Sequence, residues 1–474
     1  MSINFKNLSI EDIIQILPYF EAGNLRVSAY SAAFKVMWNR HYGLKFAEVE
    51  NCIVFMENYR GHTWFHYPMS MDNLEAELNA VEVIEDYCRI NSIRLHWASV
   101  PRHKLFSLVE RYGTDLKIKS NLRWRDYLYN ATDFRDYPGK KFAGQRNHVN
   151  KFKKLYQNYR FEILGGSDKE EIKEFLNEYE GKQLSKGTLI AREEMEAVYK
   201  LLPLIDKLKM KVGAIRIDGK IAAIAMGEVC GDTLVVDVEK GLNYEGVYQV
   251  LAQEFARAFS GNVVKYINRE DDAGDKGLRK SKLQYNPIAR LDKYNLTPLR
   301  PIDEMTAIPH IKTQRLTIGE FNEENLIGLC KLENDFESNK YWGYDWRDDY
   351  KDEHEPTPEY FLECKRQIFS RREEVPMGIY LSDNLIGEVV LHNFSYRFEC
   401  EVGVRLLPEF RGCGYACEAV IAAIDYAFFE LNIDKVNAKC FRQNEKSKSC
   451  LISAGMREDG EDEKYFYFYK TAAM

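Results

Sequence analysis

Residues 411–416 read Arg411-Gly412-Cys413-Gly414-Tyr415-Ala416, between an apolar run and a segment of helical periodicity. Two glycines one residue apart let backbone N–H groups converge without Cβ obstruction. The helix start adds unbonded N–H groups and the positive end of its dipole. The chemistry this allows is anion binding, suited to a diphosphate. Arg411 can add a charge-assisted contact. A Walker A loop, G-x-x-x-x-G-K-[ST], is absent. A dinucleotide fingerprint needs a third glycine where Cys417 stands, and a parallel sheet where antiparallel hairpins are expected. A merely structural turn stays open as an alternative.

Two further stretches could bind or react. Residues 139–160 hold seven Lys/Arg and no Asp or Glu. Val149, Phe152 and Tyr156 give the apolar spacing of a docked helix, so the bases form a strip able to meet phosphate, as on tRNA or an anionic lipid headgroup. An ordinary solvated helix is the other reading. Residues 266–298 mix both charge signs with Gly274, Gly277 and Asn286-Pro287, and read as a long polar loop. Trp342 and Trp346 precede an acidic run, Asp345 to Glu355. There an aromatic wall and a cationic acceptor compete with plain packing and a solvated loop.

The elements that must position these residues are set by periodicity. The chain has 474 residues, 45% hydrophobic and 29% charged, which predicts two or three globular domains. A net charge of −7 gives no global attraction to nucleic acid or anionic lipid. The N-terminus lacks the apolar core of a signal peptide, and no run of about 18 apolar residues is found. Ten scattered cysteines without a C-x-x-C pair predict reduced thiols, a cytoplasmic location and no metal site. A peripheral encounter with the membrane is left open by the basic strip.

Strands are expected at 53–68 (a hairpin turning at Arg60-Gly61), 93–100, 211–240 (three strands) and 263–268. Helices are expected at 73–90, 167–180 (capped by Ser167 with Glu170) and 247–259. Residues 297–312 carry three prolines and read as a linker. Beyond it come a helix from Pro358, a hairpin around 382–384, a strand before the glycine loop, a helix over 416–431, a strand over 435–440, a helix over 444–454 and a last strand over 465–470.

Several of these segments carry a resemblance. Residues 411–416 resemble the Q/R-x-x-G-x-G/A motif of the GNAT acyl-CoA N-acyltransferases. Glu401-Val402-Gly403-Val404 is similar to that family's cofactor-supporting strand. Asn444-Glu445-Lys446-Ser447, with Leu451 and Gly455-Met456, resembles its N-x-x-S-x-x-x-L-x-x-x-G-F segment. Thr313-Gln314-Arg315-Leu316 is similar to the T-x-R-L opening of the subgroup of ribosomal-protein alanine N-acetyltransferases. The resemblance spans about 313–470 and implies acetyl-CoA, or another acyl-CoA, lying along 401–406 at Val404, Arg405 and Leu406. A backbone N–H there would polarise the thioester carbonyl. The diphosphate would sit on Arg411, Gly412, Cys413, Gly414, Tyr415 and Ala416, with Asn444 on the cofactor arm. Glu401 would be general base, directly or through water, and Ser447 or a tyrosine of the last strand would protonate the thiolate. Read by themselves, Glu401 as a solvated strand residue, Asn444 as a helix N-cap and Ser447 as a first-turn serine stay open.

Residues 1–298 resemble a bacterial family similar to the catalytic domain of phosphatidylglycerol lysyltransferases. The resemblance is carried by K-K-F-x-x-x-R-N-H-V-N-x-F (140–152), by Glu239-Lys240 with Gly246 and Tyr248, and by Asn268-Arg269-Glu270-Asp271 through Leu278-Arg279-Lys280 and Tyr285-Asn286-Pro287. It implies two GNAT-like halves split near 135–160, and transfer of an aminoacyl group from aminoacyl-tRNA to an amine or hydroxyl. The implied site comprises Lys140, Lys141, Arg146, Asn147, Asn150, Glu239, Lys240, Asn268, Arg269, Glu270, Asp271, Arg279 and Lys282.

The expected architecture is therefore α/β with mixed sheets: tandem GNAT-like folds, two in a unit of residues 1–298 and one in 313–474, joined by a linker at 299–312. The expected function is acyl-CoA-dependent N-acetylation of a small-molecule or peptide amine by the C-terminal domain. The alternatives are tRNA-dependent aminoacyl transfer to a lipid or a small amine or hydroxyl acceptor as the main activity, and a non-catalytic ligand sensor.

Overall fold

The computed structural model describes residues 3–472, apart from 24, 60, 72, 92, 114–115, 184–188, 344, 349 and 351–354. The side chains of 183, 189–191 and 348 are likewise outside the description. The chain divides into two units. One holds residues 1–88, 93–110 and 117–297; the other holds 89–92, 111–116 and 298–474.

Three mixed sheets make up the two units. In the first unit, one sheet runs Lys6–Asn7, Lys45–Val49, Cys52–Tyr59, His62–His66, Trp97–Pro101, Lys293–Pro298, Leu116–Ser120. The other runs Ala289–Leu291, Asp126–Asn130, Tyr266–Asn268, Thr233–Gly241, Lys220–Cys230, Lys211–Ile217, Arg160–Leu164. The second unit's sheet runs Ile311–Lys312, Thr317–Gly319, Val375–Leu381, Asn384–His392, Glu399–Leu406, Lys435–Phe441, Tyr465–Thr471, Arg457–Glu461.

Among the described pairings each sheet contains one parallel pair, and each such pair is bridged by a helix, as a parallel crossover requires. The bridging helices are Leu74–Ile90, Val247–Phe259 and Tyr415–Phe429. In the second unit the parallel pairing covers only Glu399↔Lys435 to Glu401↔Asn437. Both strands then run on, to Leu406 and Phe441, without pairing to each other, so a gap opens between them. Thr233–Gly241 likewise runs on past its parallel pairing with Tyr266–Asn268, which covers only Thr233 to Val235.

Helix Tyr415–Phe429 lies on one face of its sheet. Ala419, Val420, Ala423, Ile424 and Ala427 pack on Val402, Val436 and Ala438 in a single core. The alanines permit close approach, and burying each larger aliphatic chain stabilises by about 1.5–3 kcal/mol.

Most of the expected elements form. The 53–68 segment is the strands Cys52–Tyr59 and His62–His66, with Arg60 of the expected turn outside the described residues. Helix Pro358–Ser370 carries its proline at the first position. Four expectations differ. Ser167 does not cap; helix Lys169–Gln183 comes after a short 3-10 turn in which the Asp168 carboxylate accepts from Gly165 N at 2.8 Å. The expected linker is ordered within the second unit: Ile302 and Met305 are buried in its core, and Ile311–Lys312 pairs with Thr317–Gly319. Its apolar residues outweigh its prolines. The 266–298 loop instead contains helix Lys276–Gln284 and strands Ala289–Leu291 and Lys293–Pro298. The two halves of the first unit are not split at 135–160. The chain joins the second sheet at Asp126 and returns to the first at Lys293.

Candidate functional site

The glycine loop lies at the end of strand Glu399–Leu406, just before helix Tyr415–Phe429. Gly412 and Gly414 have φ of 80° and 82°, which an L side chain rarely adopts. A Cβ on Gly412 would meet nothing within 4 Å, and one on Gly414 only Arg315 Nη2 at 3.3 Å. Glycine is thus required by backbone conformation, and the space beside it is open. The first helical bond is Glu418 N to Gly414 O at 3.1 Å. Among the described residues no acceptor is bound by the N–H groups of Gly412 through Cys417. These unbonded donors at a helix start are what a diphosphate needs, so the loop fits that part of an acyl-CoA.

The side chains around the loop differ from the expectation. Arg411 turns back, its Nε donating to Leu406 O at 3.0 Å and its Nη2 to Ser338 Oγ at 3.3 Å. It pins the loop to the strand end and is not extended over the N–H cradle. Arg315 stands beside the loop instead. Its Nη1 donates to Cys413 O at 2.8 Å and its guanidinium covers the Tyr415 ring. Glu418 holds it there, bound by Arg315 Nε at 2.7 Å and by Thr313 Oγ1 at 2.6 Å. The T-x-R-L residues thereby clamp the first turn of the helix.

Strand alternation divides 401–406. Val402, Val404 and Leu406 pack toward the helix core. Glu401, Gly403 and Arg405 take the other face. Arg405 is expected to hold cofactor, yet its side chain is fully committed. It is 5% exposed and bonds Glu388 and Glu333, each at 2.6 Å, and also Asn339, beneath the Trp342 ring. Lys365 completes this cluster on Glu388 at 2.7 Å. Only the backbone of Arg405 is left for a ligand. Trp342 also reaches the Cα side of Gly403, whose Cβ would lie 3.6 Å from its ring. It therefore walls the same face as Glu401. Trp346 packs on Phe361, and residues 349 and 351–354 of the acidic run lie outside the described residues.

Glu401 is the last residue before the strands part. Its carboxylate accepts from Asn393 Nδ2 at 3.0 Å, with Lys439 Nζ at 3.2 Å and His392 Nε2 at 3.8 Å. Burial raises its pKa, but His392, Lys439 and the Asn393 bond outweigh it, and the group is held below the usual carboxylate range. Burial also keeps His392 below the ordinary histidine value, despite Glu401 beside it. A neutral imidazole near pH 7 thus faces a carboxylate. The sequence reading missed His392; its signal was a histidine ending the strand that pairs with 399–406.

Asn444 caps helix Glu445–Ser453, its Oδ1 accepting from Ser447 N at 3.2 Å. Ser447 lies against the buried Cys440 thiol. Cys440 and Lys439 are neighbours on one strand and so point to opposite faces, which puts Ser447 and Glu401 on opposite sides of the sheet. On the last strand, the Tyr467 hydroxyl donates to Asp462 at 2.6 Å.

In the first unit the expected residues fall into two groups. Lys140, Lys141, Asn147 and Asn150 are exposed around helix Ala143–Leu155, whose Val149 and Phe152 are buried. Lys141 pairs with Asp133 at 3.1 Å. Arg146 is spent on the carbonyls of Tyr137 and Gly139, so it braces the turn and offers no free charge. The second group is gathered beyond the short parallel pair. Arg269 Nε bonds Glu239 at 2.9 Å and its guanidinium covers Tyr285. Lys282 Nζ donates to the carbonyls of Arg269 and Asp271. Asp271 and the missed Asp126 bind the missed Lys293 at 3.0 and 2.7 Å. Asn268 bonds Asp126 at 3.0 Å. Burial pushes the Glu270 carboxyl up to about 8 and draws the Lys282 amine below its ordinary value, so the two groups are displaced toward each other. Lys240 and Arg279 flank the cluster, paired with Glu194 at 2.6 Å and Asp272 at 2.7 Å. Asp126 and Lys293 were legible only as single charges inside strands.

The family profile described as phosphatidylglycerol lysyltransferase, C-terminal, matches residues 20–297, and the acetyltransferase (GNAT) domain profile matches 315–457. The uncharacterized N-acetyltransferase YnaD of Bacillus subtilis (strain 168) is 28% identical over 158 residues, 32% of this chain and 84% of that protein. The uncharacterized N-acetyltransferase YoaA of the same organism is 21% identical over 162 residues, 34% of this chain and 89% of its own. A conserved protein of unknown function from Bacteroides thetaiotaomicron VPI-5482 is 26% identical, with a TM-score of 0.58, covering 63% of this chain and 100% of its own. GNAT domains use acyl-CoA, which the unbonded N–H groups of the loop suit. The chain is an acyltransferase that belongs to the phosphatidylglycerol lysyltransferase C-terminal family and carries a GNAT acetyltransferase domain behind it.

Proposed function

We propose that the second unit transfers an acetyl group from acetyl-CoA to the nitrogen of a small-molecule or peptide amine. The observation that carries this is the open strand gap ending in the Gly412–Cys417 row of unbonded N–H groups. The cofactor would supply the activated thioester; the chain supplies the rest. Backbone N–H groups of the loop hold the diphosphate, and Arg315 adds positive charge at its edge. His392 takes the acceptor's proton at Nε2, and Glu401 stabilises the imidazolium that results. Trp342 walls the acceptor side. Steady-state release of CoA thiol against a panel of amines, small and peptidic, tests this. Turnover with at least one amine supports it; saturable cofactor binding with no turnover on any favours the ligand-sensor reading.

A second reading concerns the first unit. Glu270 and Lys282, with opposed pKa displacements beyond a parallel strand pair, suit aminoacyl transfer. Lys140, Lys151, Lys153 and Lys154 would meet the tRNA phosphates. Reversing these four charges should abolish binding of charged tRNA in filter assays, and unchanged binding would refute that role.

A further inference from the structure

Past Glu401, the sheet face turned away from helix Tyr415–Phe429 is aromatic. Strand pairing sets Lys439 opposite Tyr467 and Phe441 opposite Tyr465, while Asn437, two residues before Lys439, is opposite Glu401. Alternation therefore puts these side chains on the Glu401 face. The Phe441 ring lies 4.7 Å from that of Tyr465 and 5.4 Å from that of Tyr341, and Tyr465 lies 6.3 Å from Tyr467. Tyr341 and Trp342 are consecutive, yet they reach opposite sides of the strand gap. Trp342 lies over Gly403 and Arg405 on one strand, and Tyr341 meets Phe441 on the other. The rings thus box in the gap on the side where His392 and Glu401 stand. Each ring is half-buried, so ring surface is open to a ligand.

The box already holds cations. Lys464 Nζ lies 5.4 Å from the Phe441 centroid and 5.0 Å from that of Tyr465, Lys439 Nζ 5.9 Å from Tyr465, and Lys340 Nζ 5.3 Å from Tyr341. These are cation–π distances. Lys439 is also paired with Glu401 at 3.2 Å. Asp462, two residues before Lys464, is bound by the Tyr467 hydroxyl at 2.6 Å and by the backbone N–H groups of Lys464 and Tyr465. Among the described residues Lys340 and Lys464 have no carboxylate partner. A further cation entering here meets like charge, whereas an aromatic ring that carries an anion meets matching surfaces. The local field opposes the cationic acceptor that the acidic run after Trp342 would favour by itself.

Resting on the acetyl transfer proposed above, we propose that its acceptor is a free amino acid with an aromatic side chain. The ring enters the box at Phe441 and Tyr465, the carboxylate meets Lys464 and Lys340, and the amino group reaches His392. Phe441 stands two residues beyond Lys439, whose ammonium touches Glu401, or about 7 Å along the strand, a span that one amino acid bridges. The neutral amine nitrogen bonds the acetyl carbonyl carbon as the carbon–sulfur bond breaks. One proton leaves the nitrogen for His392 Nε2 and one is returned to the sulfur, giving an N-acetyl amino acid and CoA thiol.

The test has two arms, both on the full-length protein. Calorimetric titration of L-phenylalanine, L-leucine and phenethylamine, with and without saturating CoA, reads the box without turnover. Release of CoA thiol from acetyl-CoA with the same three amines reads transfer. Phenylalanine is expected to bind at least about tenfold tighter than leucine, which lacks the ring, or phenethylamine, which lacks the carboxylate, with the same order in kcat/KM. Phe441→Leu should erase the advantage over leucine, and Lys340→Gln/Lys464→Gln the advantage over phenethylamine. Both lysines are exposed, and unchanged urea unfolding checks that each variant keeps its fold. Preferential binding with these variant effects but no turnover supports the aromatic amino-acid site and overturns the transfer it was joined to. Turnover of leucine or phenethylamine at least as efficient as that of phenylalanine overturns this acceptor and leaves acetyl transfer standing. No binding of phenylalanine, or binding indifferent to the variants, overturns the proposal whatever the turnover shows.

Discussion

His392 and Glu401 face each other in register across two antiparallel strands, and their surroundings fix both protonation states. Because burial lowers the His392 pKa, the imidazole stays neutral down to a pH below the usual value of about 6.5. The kcat/KM of acetyl transfer should therefore rise with pH through that depressed pKa and be level at neutrality. His392→Gln should remove this acid limb and lower kcat/KM by about 10²- to 10⁴-fold. An unchanged profile in the variant would assign the limb elsewhere. Arg405 illustrates the opposite case, a motif position whose side chain serves the fold. Arg405→Met leaves Glu333 and Glu388 facing only Lys365, and should destabilise the second unit by about 3–5 kcal/mol in urea unfolding. Arg405→Lys should recover only part of this, since a single ammonium cannot satisfy both carboxylates. A loss under about 1 kcal/mol would show that the cluster is not structural.

At the scale of elements, the glycine loop and the crossover helices were legible because each rests on local rules: a turn needing positive φ, a helix period, a break between apolar runs. What could not be read was partnership. Glu418 looks like an ordinary first-turn acid, and only the fold brings it to Thr313 and Arg315. The triplet Gly-Glu-Val occurs at 227–229 and 387–389, in each case where a Cβ would strike the next strand's carbonyl at 2.3 Å. The glycine has one role in both sheets, but the glutamates diverge: Glu388 binds Arg405, while Glu228 accepts from Ala32 N at 3.0 Å and Ala33 N at 2.6 Å. The 299–312 stretch misleads because prolines and an apolar spacing coexist there, and burial of Ile302 decides between them.

Helix Ala32–Tyr42 buries a lysine, Lys35, against His66 Nδ1 at 3.1 Å, and burial brings its pKa down to about 7. The unfolded chain keeps that proton to about pH 10.5, so it binds more protons than the folded one between about 7 and 10.5. Stability should then rise with pH across this window, by up to about 4 kcal/mol. Lys35→Met should flatten that rise, read as a wild-type-minus-variant difference in unfolding free energy at pH 7 and pH 9.5. A difference independent of pH would mean the amine is charged in the folded state.

At the scale of the whole molecule, three sheets share one plan among the described pairings: antiparallel strands, one helix-bridged parallel pair and, in two of them, a strand that runs on past that pairing. They differ in the segment that leads from the first strand of the pair into the bridging helix. In the second unit this is the open glycine loop. In the first sheet of the first unit it includes Ser70 and Asn73, whose side-chain oxygens accept from Asn73 N at 2.9 Å and from Ala76 N at 3.1 Å, so the chain's own side chains occupy the helix start. One plan thus presents a free anion cradle in the second unit and a filled one here. Among the described residues no helix is long and apolar enough to cross a membrane. Acyl-CoA should accordingly stabilise only the second unit, by about 2.7 kcal/mol at a hundredfold excess over Kd. The most direct measurement is calorimetric titration of the full-length protein and its Gly414→Val variant with acetyl-CoA, checked by scanning calorimetry for an intact fold. The account predicts saturable one-to-one binding in the wild type and at least about a tenfold loss in the variant, whose side chain must enter a φ of 82° beside Arg315. Equal affinity in both proteins, or no binding to either, would contradict it.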